Sequence, residues 1–120
     1  MPSPTFERLR VWHDARRLTA RIYDVTRSGK FASDWSLRDQ IRRASVSVMS
    51  NIAEGYERGG RKEFLHFLRI AKGSAGEVRS QLYAAQDVGY LEPQVANELR
   101  EVAASLSRRL EALAGTMKED

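Results

Sequence analysis

Apolar positions recur along this chain at alternating intervals of three and four residues, the spacing that lines one face of a 3.6-residue helix. Val11, Ala15, Leu18, Ile22 and Val25 form the first such stripe and predict a helix over about 6–27. Ser28-Gly29 reads as its C-terminal stop. Ser33-Asp34 offers an N-cap, after which Leu37, Ile41, Ala44, Val48 and Ile52 predict a second helix over about 35–56. The third and longest, over about 61–88, carries Phe64, Phe67, Leu68, Ala71, Ala75, Val78, Leu82 and Ala85 before Gly89 breaks it. A fourth, over about 93–116, opens at Glu92-Pro93 and turns Val95, Leu99, Val102, Leu106, Leu110 and Leu113 inward.

Proline occurs only at positions 2, 4 and 93, so nothing removes a backbone donor between Thr5 and Glu92. No strand-like alternation competes, and neither an internal repeat nor a low-complexity segment interrupts the pattern. Short turns between long helices imply antiparallel neighbours. The expected fold is therefore all-α, an antiparallel up-down four-helix bundle forming a single domain over 1–120.

The 120 residues include 20 Lys plus Arg, 16 Asp plus Glu and no Cys, for a net charge of +4. Without Cys there is no disulfide scaffold, no thiolate metal site and no cysteine nucleophile. Met1 to Arg10 contains no apolar signal core, and no stretch approaches the roughly 18 apolar residues of a membrane span. The expectation is a soluble cytoplasmic protein with no membrane contact. A basic balance makes an acidic partner plausible without naming it.

That charge is unevenly spread. Residues 1–30 carry seven bases and three acids, while residues 91–120 carry four bases and six acids. Arg10, Arg17 and Arg21 form a stripe on the first helix away from its apolar face, with Arg8, Arg16 and Arg27 nearby. Sixteen of the twenty bases are Arg, whose planar fork suits phosphate and carboxylate equally. A solvated face laced with Asp14 and Asp24 is the plainer reading. Arg58, Arg61 and Lys62 cluster where the free amides of the third helix point outward, a natural phosphate-binding geometry, although a flexible basic connector has the same composition.

Two further patterns lie on the predicted helices. On the third, Gly73, Gly76, Ser80 and Ala84 fall opposite the core stripe, and two mid-helix glycines give up about 1 kcal/mol each. Small residues let two helix backbones approach closely, so this stripe reads as a contact in a homo-oligomer, against the simpler view of a tolerated weak spot. On the second, Gln40, Arg43, Ser47, Asn51 and Glu54 form a polar seam beside the apolar face, with Ser74, Glu77 and Gln81 as its counterpart on the third. A register-setting hydrogen-bond network is expected there, with Arg43 and Glu77 as an interhelix pair.

Catalytic signatures fall short. Glu63-Phe64-Leu65-His66 matches one Glu-x-x-His element of di-iron bundles, which need two copies and two further Glu. His13 is the only other histidine, so no metal or other cofactor is expected. Gly55 and Gly60 are spaced as in a phosphate-binding loop, but Arg61 and Lys62 follow instead of Lys then Ser or Thr. No nucleophilic triad motif surrounds either histidine.

Leu9-x-Val11-Trp12-x-x-Ala15, then Gln40-Ile41-Arg42-Arg43-Ala44-Ser45 running to Asn51-Ile52-Ala53-Glu54-Gly55, then Phe64-x-x-Phe67-Leu68-x-x-Ala71-x-Gly73-Ser74-x-x-Glu77 carry a resemblance over nearly the whole chain. The sequence resembles the four-helix bundle family named for proteins encoded in the 23S ribosomal RNA intervening sequence. It departs from that family's common Phe-Pro before the second helix, having Phe31-Ala32, which bears on the rigidity of that turn. The resemblance implies a small bacterial bundle assembling into a ring-like homopentamer. It also implies kinship with the accessory variability protein of diversity-generating retroelements, a basic pentamer that binds nucleic acid and a reverse transcriptase. It brings no catalytic residue.

Three functions from different classes follow. In the first, a nonenzymatic oligomer binds RNA or DNA, with Arg10, Arg17, Arg21, Arg58, Arg61 and Lys62 on phosphates, largely without reading sequence. In the second, a scaffold recruits a protein such as a polymerase. In the third, Glu63 and His66 serve an enzyme or metal carrier. The first is expected.

Overall fold

The computed structural model describes residues 5–117 and is helical throughout, with no strand among them. Four long helices, α1 (Arg10–Val25), α3 (Trp35–Glu57), α4 (Arg61–Asp87) and α5 (Pro93–Met117), run side by side, and a short α2 (Gly29–Ser33) sits between the first two. α3 packs against α1 and α4, and α5 closes the arrangement against α4 and, more sparsely, α1. The result is an elongated body of 46 × 28 × 21 Å.

The first helix starts later than its apolar stripe predicts. Phe6–Arg8 form a 3-10 turn and Leu9 is extended, so α1 begins at Arg10. The cause is a fold-back in which the Phe6 ring meets Trp12 edge-on at 4.9 Å, and the Phe6 amide donates to the Glu57 carboxylate at 3.3 Å. α1 also ends early, at Val25, with Thr26 as its C-cap. The buried Thr26 hydroxyl donates to the Ile22 carbonyl at 2.7 Å, and Arg42 from α3 donates to that hydroxyl at 2.8 Å and to the Thr26 carbonyl at 3.3 Å. An arginine thereby satisfies a helix end that would otherwise lack donors.

Gly29 does more than stop α1. Its φ of +70° turns the chain straight into α2, whose Phe31 is almost fully buried in the core beneath Tyr90. Asp34 caps α3, accepting from the Leu37 amide at 3.1 Å. The same carboxylate accepts from the Tyr90 hydroxyl at 2.9 Å, tying the turn before α5 to the turn before α3. These two bonds hold the Asp34 carboxyl below its ordinary value of 3.8, with the Leu37 amide the larger cause, while Asp34 pushes the Tyr90 hydroxyl up.

The core stripes of α1, α3 and α4 contain the large apolar residues their spacing marks, with Val25, Leu37 and Phe67 only partly buried. On α5 the buried line is Ala96, Leu99, Ala103, Leu106, Leu110 and Ala114. Val95, Val102 and Leu113, expected inward, lie on its flanks. Three of these six positions are alanine, and α4 likewise buries Ala71, Ala75 and Ala85 completely, so small side chains make up much of the buried surface of both helices and the bulkier residues of α5 lie at the edges of its buried line.

Candidate nucleic-acid interface

The start of α1, the end of α3, the start of α4 and the end of α5 meet at one end of the bundle, joined by the Phe6–Glu57 bond and by Arg61, which donates to the Thr116 carbonyl at 3.3 Å. Arg10, Arg61 and Lys62 are exposed here, and among the described residues none of them has an acidic partner. α4 begins behind Gly60, which provides no side-chain cap, so its first amides stay open. Arg58 behaves differently. Its guanidinium lies between Glu54 (2.7 Å) and Glu63 (3.4 Å) and 4.9 Å from the Phe67 ring, and Glu54 chiefly raises its pKa. That arginine braces the α3–α4 turn.

Arg17 and Arg21 lie on the side of the molecule, in a groove of about 620 Å³ between α1 and α5. Arg108 and Arg109 of α5 face them across it, over a floor that includes Val102 and Leu106. Asp14 binds both Arg17 and Arg109, Glu98 lies 3.8 Å from Arg21, and Glu101 lies 3.1 Å from Arg108. Four guanidiniums thus meet three carboxylates. Arg17 is 71% exposed and Asp14 only 15%, so the carboxylate is held while the cation reaches solvent. The Arg21–Glu98 and Arg108–Glu101 pairs are exposed on both sides and contribute about 0–1 kcal/mol each, so a phosphate can replace those carboxylates at little cost. Arg108 and Arg109 escaped the sequence reading because their segment is acid-rich overall; the tandem Arg-Arg was the available signal.

The polar seam between α3 and α4 is simpler than expected. One bond crosses it, between the Ser47 and Ser74 hydroxyls at 3.0 Å. Asn51 donates to the Ser47 carbonyl and hydroxyl on its own helix, Gln40 donates to Ser36, and Glu54 serves Arg58. The expected Arg43–Glu77 pair does not form: both line an open groove of about 390 Å³, and the Gln81 side-chain oxygen nearby is buried without a donor. Short serines set the helix separation here, which leaves the longer charged groups at the groove mouth. Gly55 belongs to this seam as well. A Cβ there would overlap the Phe67 Cβ, so glycine is what lets α4 approach.

Gly73, Gly76, Ser80 and Ala84 lie on the outward side of α4, and a Cβ added at either glycine would meet nothing. His66 is exposed beside Phe67, and His13 donates to the Glu7 carbonyl at 2.7 Å. Among the described residues no group of three or more His, Asp or Glu could hold a metal ion, and no helix is long and apolar enough to cross a membrane.

A family model described as 23S rRNA-intervening sequence protein matches residues 7–112. No curated protein matches the chain. Among solved structures, it is similar to the crystal structure of a protein with unknown function from the S23 ribosomal protein family of Bacteroides thetaiotaomicron VPI-5482. The two share 19% identity and a TM-score of 0.81 over 88% of this chain and 95% of that one, a likeness of fold.

Proposed function

The chain belongs to the 23S rRNA-intervening sequence protein family, and from that premise we propose that it is a nonenzymatic, homo-oligomeric bundle of the cytoplasm that binds RNA or DNA through phosphates. The carrying observation is the set of exposed cations without acidic partners, Arg10, Arg61 and Lys62, gathered at one end. The arginines of the α1–α5 groove, Arg17, Arg21, Arg108 and Arg109, extend this surface along the side. Arg58 supports the turn that presents it. Contacts of this kind position a nucleic acid and read little sequence. The homopentameric ring implied by the resemblance would repeat the surface five times, and a retroelement accessory role would add a reverse transcriptase as partner.

A scaffold role without nucleic acid is the second reading, favoured by Trp35 and Val88, which remain 70% and 59% exposed at the opposite end. Salt titration of binding to labelled structured RNA, single-stranded RNA and duplex DNA separates the two. Phosphate binding gives a log-log slope of about −0.7 to −0.9 per neutralised phosphate. Absence of binding at low salt rejects it in favour of the scaffold.

A further inference from the structure

Among the described residues Thr26, Ser45, Ser74 and Ser107 are the buried polar ones, and every hydroxyl but the last is accounted for. Thr26 donates to the Ile22 carbonyl, Ser45 donates to the Arg42 carbonyl at 2.9 Å, and Ser74 bonds Ser47. Ser107, midway along α5 and only 8% exposed, has a hydroxyl with no hydrogen-bond partner. A helical serine can return its hydroxyl to a carbonyl one turn back, and one shut from water without a partner is costly to keep. Ser107 lines a groove of about 370 Å³ between α4 and α5, with Lys72 and Arg79 on α4 and Ala104, Arg108 and Glu111 on α5. Gly76 falls between Lys72 and Arg79 on one face of α4, and a Cβ there would meet nothing, so no side chain from that turn fills the space.

The charges around that hydroxyl are mostly positive. Lys72 pairs with Glu111 at 2.8 Å, Arg108 makes only its exposed pair with Glu101, and Arg79 is exposed with no hydrogen-bonding or ionic partner among the described residues. The lining thus holds Lys72, Arg79 and Arg108 against the single carboxylate of Glu111, and Ala104 is its one apolar side chain. We propose that this groove binds the dianion of a phosphate monoester. The Ser107 hydroxyl donates to one phosphate oxygen, and Arg79, Arg108 and Lys72, on long side chains that part to admit the ligand, hold the others. Donors arrive from two helices and from the floor between them, which suits a tetrahedral oxyanion better than a planar carboxylate. The excess of cations matches a monoester, with close to two negative charges at neutral pH, better than a diester with one. With no aromatic ring in the lining, nothing there stacks a base. Lys72 stands roughly 15 Å along α4 from Lys62, so this site goes beyond the cations at the end of the bundle.

The test is calorimetric and NMR titration of the full chain with methyl phosphate, a monoester, and dimethyl phosphate, a diester. Methyl phosphate should bind saturably, shift the signals of Arg79, Ser107 and Arg108, and exceed dimethyl phosphate in affinity by about tenfold or more. Its binding should weaken as pH falls through about 6, where the monoester takes up a proton and loses a charge. Ser107→Ala should weaken binding about tenfold while leaving Tm unchanged or higher, because the unpartnered hydroxyl is gone. Arg79→Gln, at an exposed position, should weaken it comparably, and Arg79→Lys less. No saturable binding, equal affinity for the two esters, shifts confined to Arg10, Arg61 and Lys62, or a Ser107→Ala variant that binds like the wild type would overturn the proposal. Salt-dependent RNA binding that persists beside any of those results leaves the nucleic-acid reading standing. One RNA in 5′-phosphorylated and 5′-hydroxyl forms identifies the source of the phosphate. A preference for the phosphorylated form that Ser107→Ala abolishes assigns the site to a nucleic-acid end, and equal binding of both forms beside saturable methyl phosphate binding assigns it to a free phosphorylated small molecule; both uphold it.

Discussion

Where α3 meets α4 the side chains are short, and where α1 meets α5 they are long and charged. Ser47 and Ser74 touch across the first seam, and Gly55 admits the stem of Phe67. Across the second, Arg17, Arg21, Arg108 and Arg109 interleave with Asp14, Glu98 and Glu101 around a groove of about 620 Å³. The residues that carry the family resemblance on α3 belong mainly to packing. Ile41, Ala44 and Ile52 are core, Arg42 closes the end of α1, Asn51 bonds its own helix, and Glu54 anchors Arg58. The signature is therefore one of fold, and the surface available for binding lies where it is absent.

Substitutions should separate the two regions. The largest effect is expected at Gly55→Ala, which forces a methyl into Phe67 and should destabilise by about 1–3 kcal/mol in urea unfolding. Gly73→Ala should do the reverse, raising the stability of the isolated subunit by up to about 1 kcal/mol, because its Cβ enters open space. The same substitution at two glycines thus reports opposite signs, and equal signs would break the distinction.

In the groove, Asp14→Ala removes the carboxylate shared by Arg17 and Arg109. Stability should fall by about 1 kcal/mol or less, while affinity for duplex DNA or RNA rises and its salt dependence steepens, because two cations are released. Weaker binding by this variant would mean that Asp14 positions the arginines instead of competing for them.

The smallest effect lies away from both seams, at the Asp34–Tyr90 tie. Asp34 has a lowered folded pKa, so its contribution is present above the ordinary value of 3.8 and is lost as pH falls through the lower folded value. Tyr90 has a raised one, so its contribution is present below 10.0 and is lost as pH rises through the higher folded value. Tyr90→Phe should lower Tm slightly at neutral pH, and the difference from wild type should shrink as Asp34 protonates. A Tm difference independent of pH would assign the loss to packing against Phe31.

The long helices were legible because large residues such as Leu18, Ile22, Ile52 and Leu82 recur at helical spacing and bury completely. The core of α5 was less legible, since Ala96, Ala103 and Ala114 carry little hydrophobic signal beside Val95, Val102 and Leu113. α2 is five residues long and depends on one buried side chain, Phe31, so no periodicity announces it. The candidate site was legible only as composition. Which arginines are free depends on partners far along the chain: Arg109 reaches Asp14 across 95 positions, and Arg21 approaches Glu98 only once α1 and α5 are adjacent.

The most direct measurement compares wild type with an Arg10→Glu/Arg61→Glu/Lys62→Glu variant in the salt dependence of nucleic-acid binding. The account predicts a log-log slope shallower by about 0.7–0.9 for each cation that met a phosphate, with unfolding midpoint and subunit number unchanged. An unchanged slope and affinity in the folded variant would contradict it, and would move the function away from this end of the bundle.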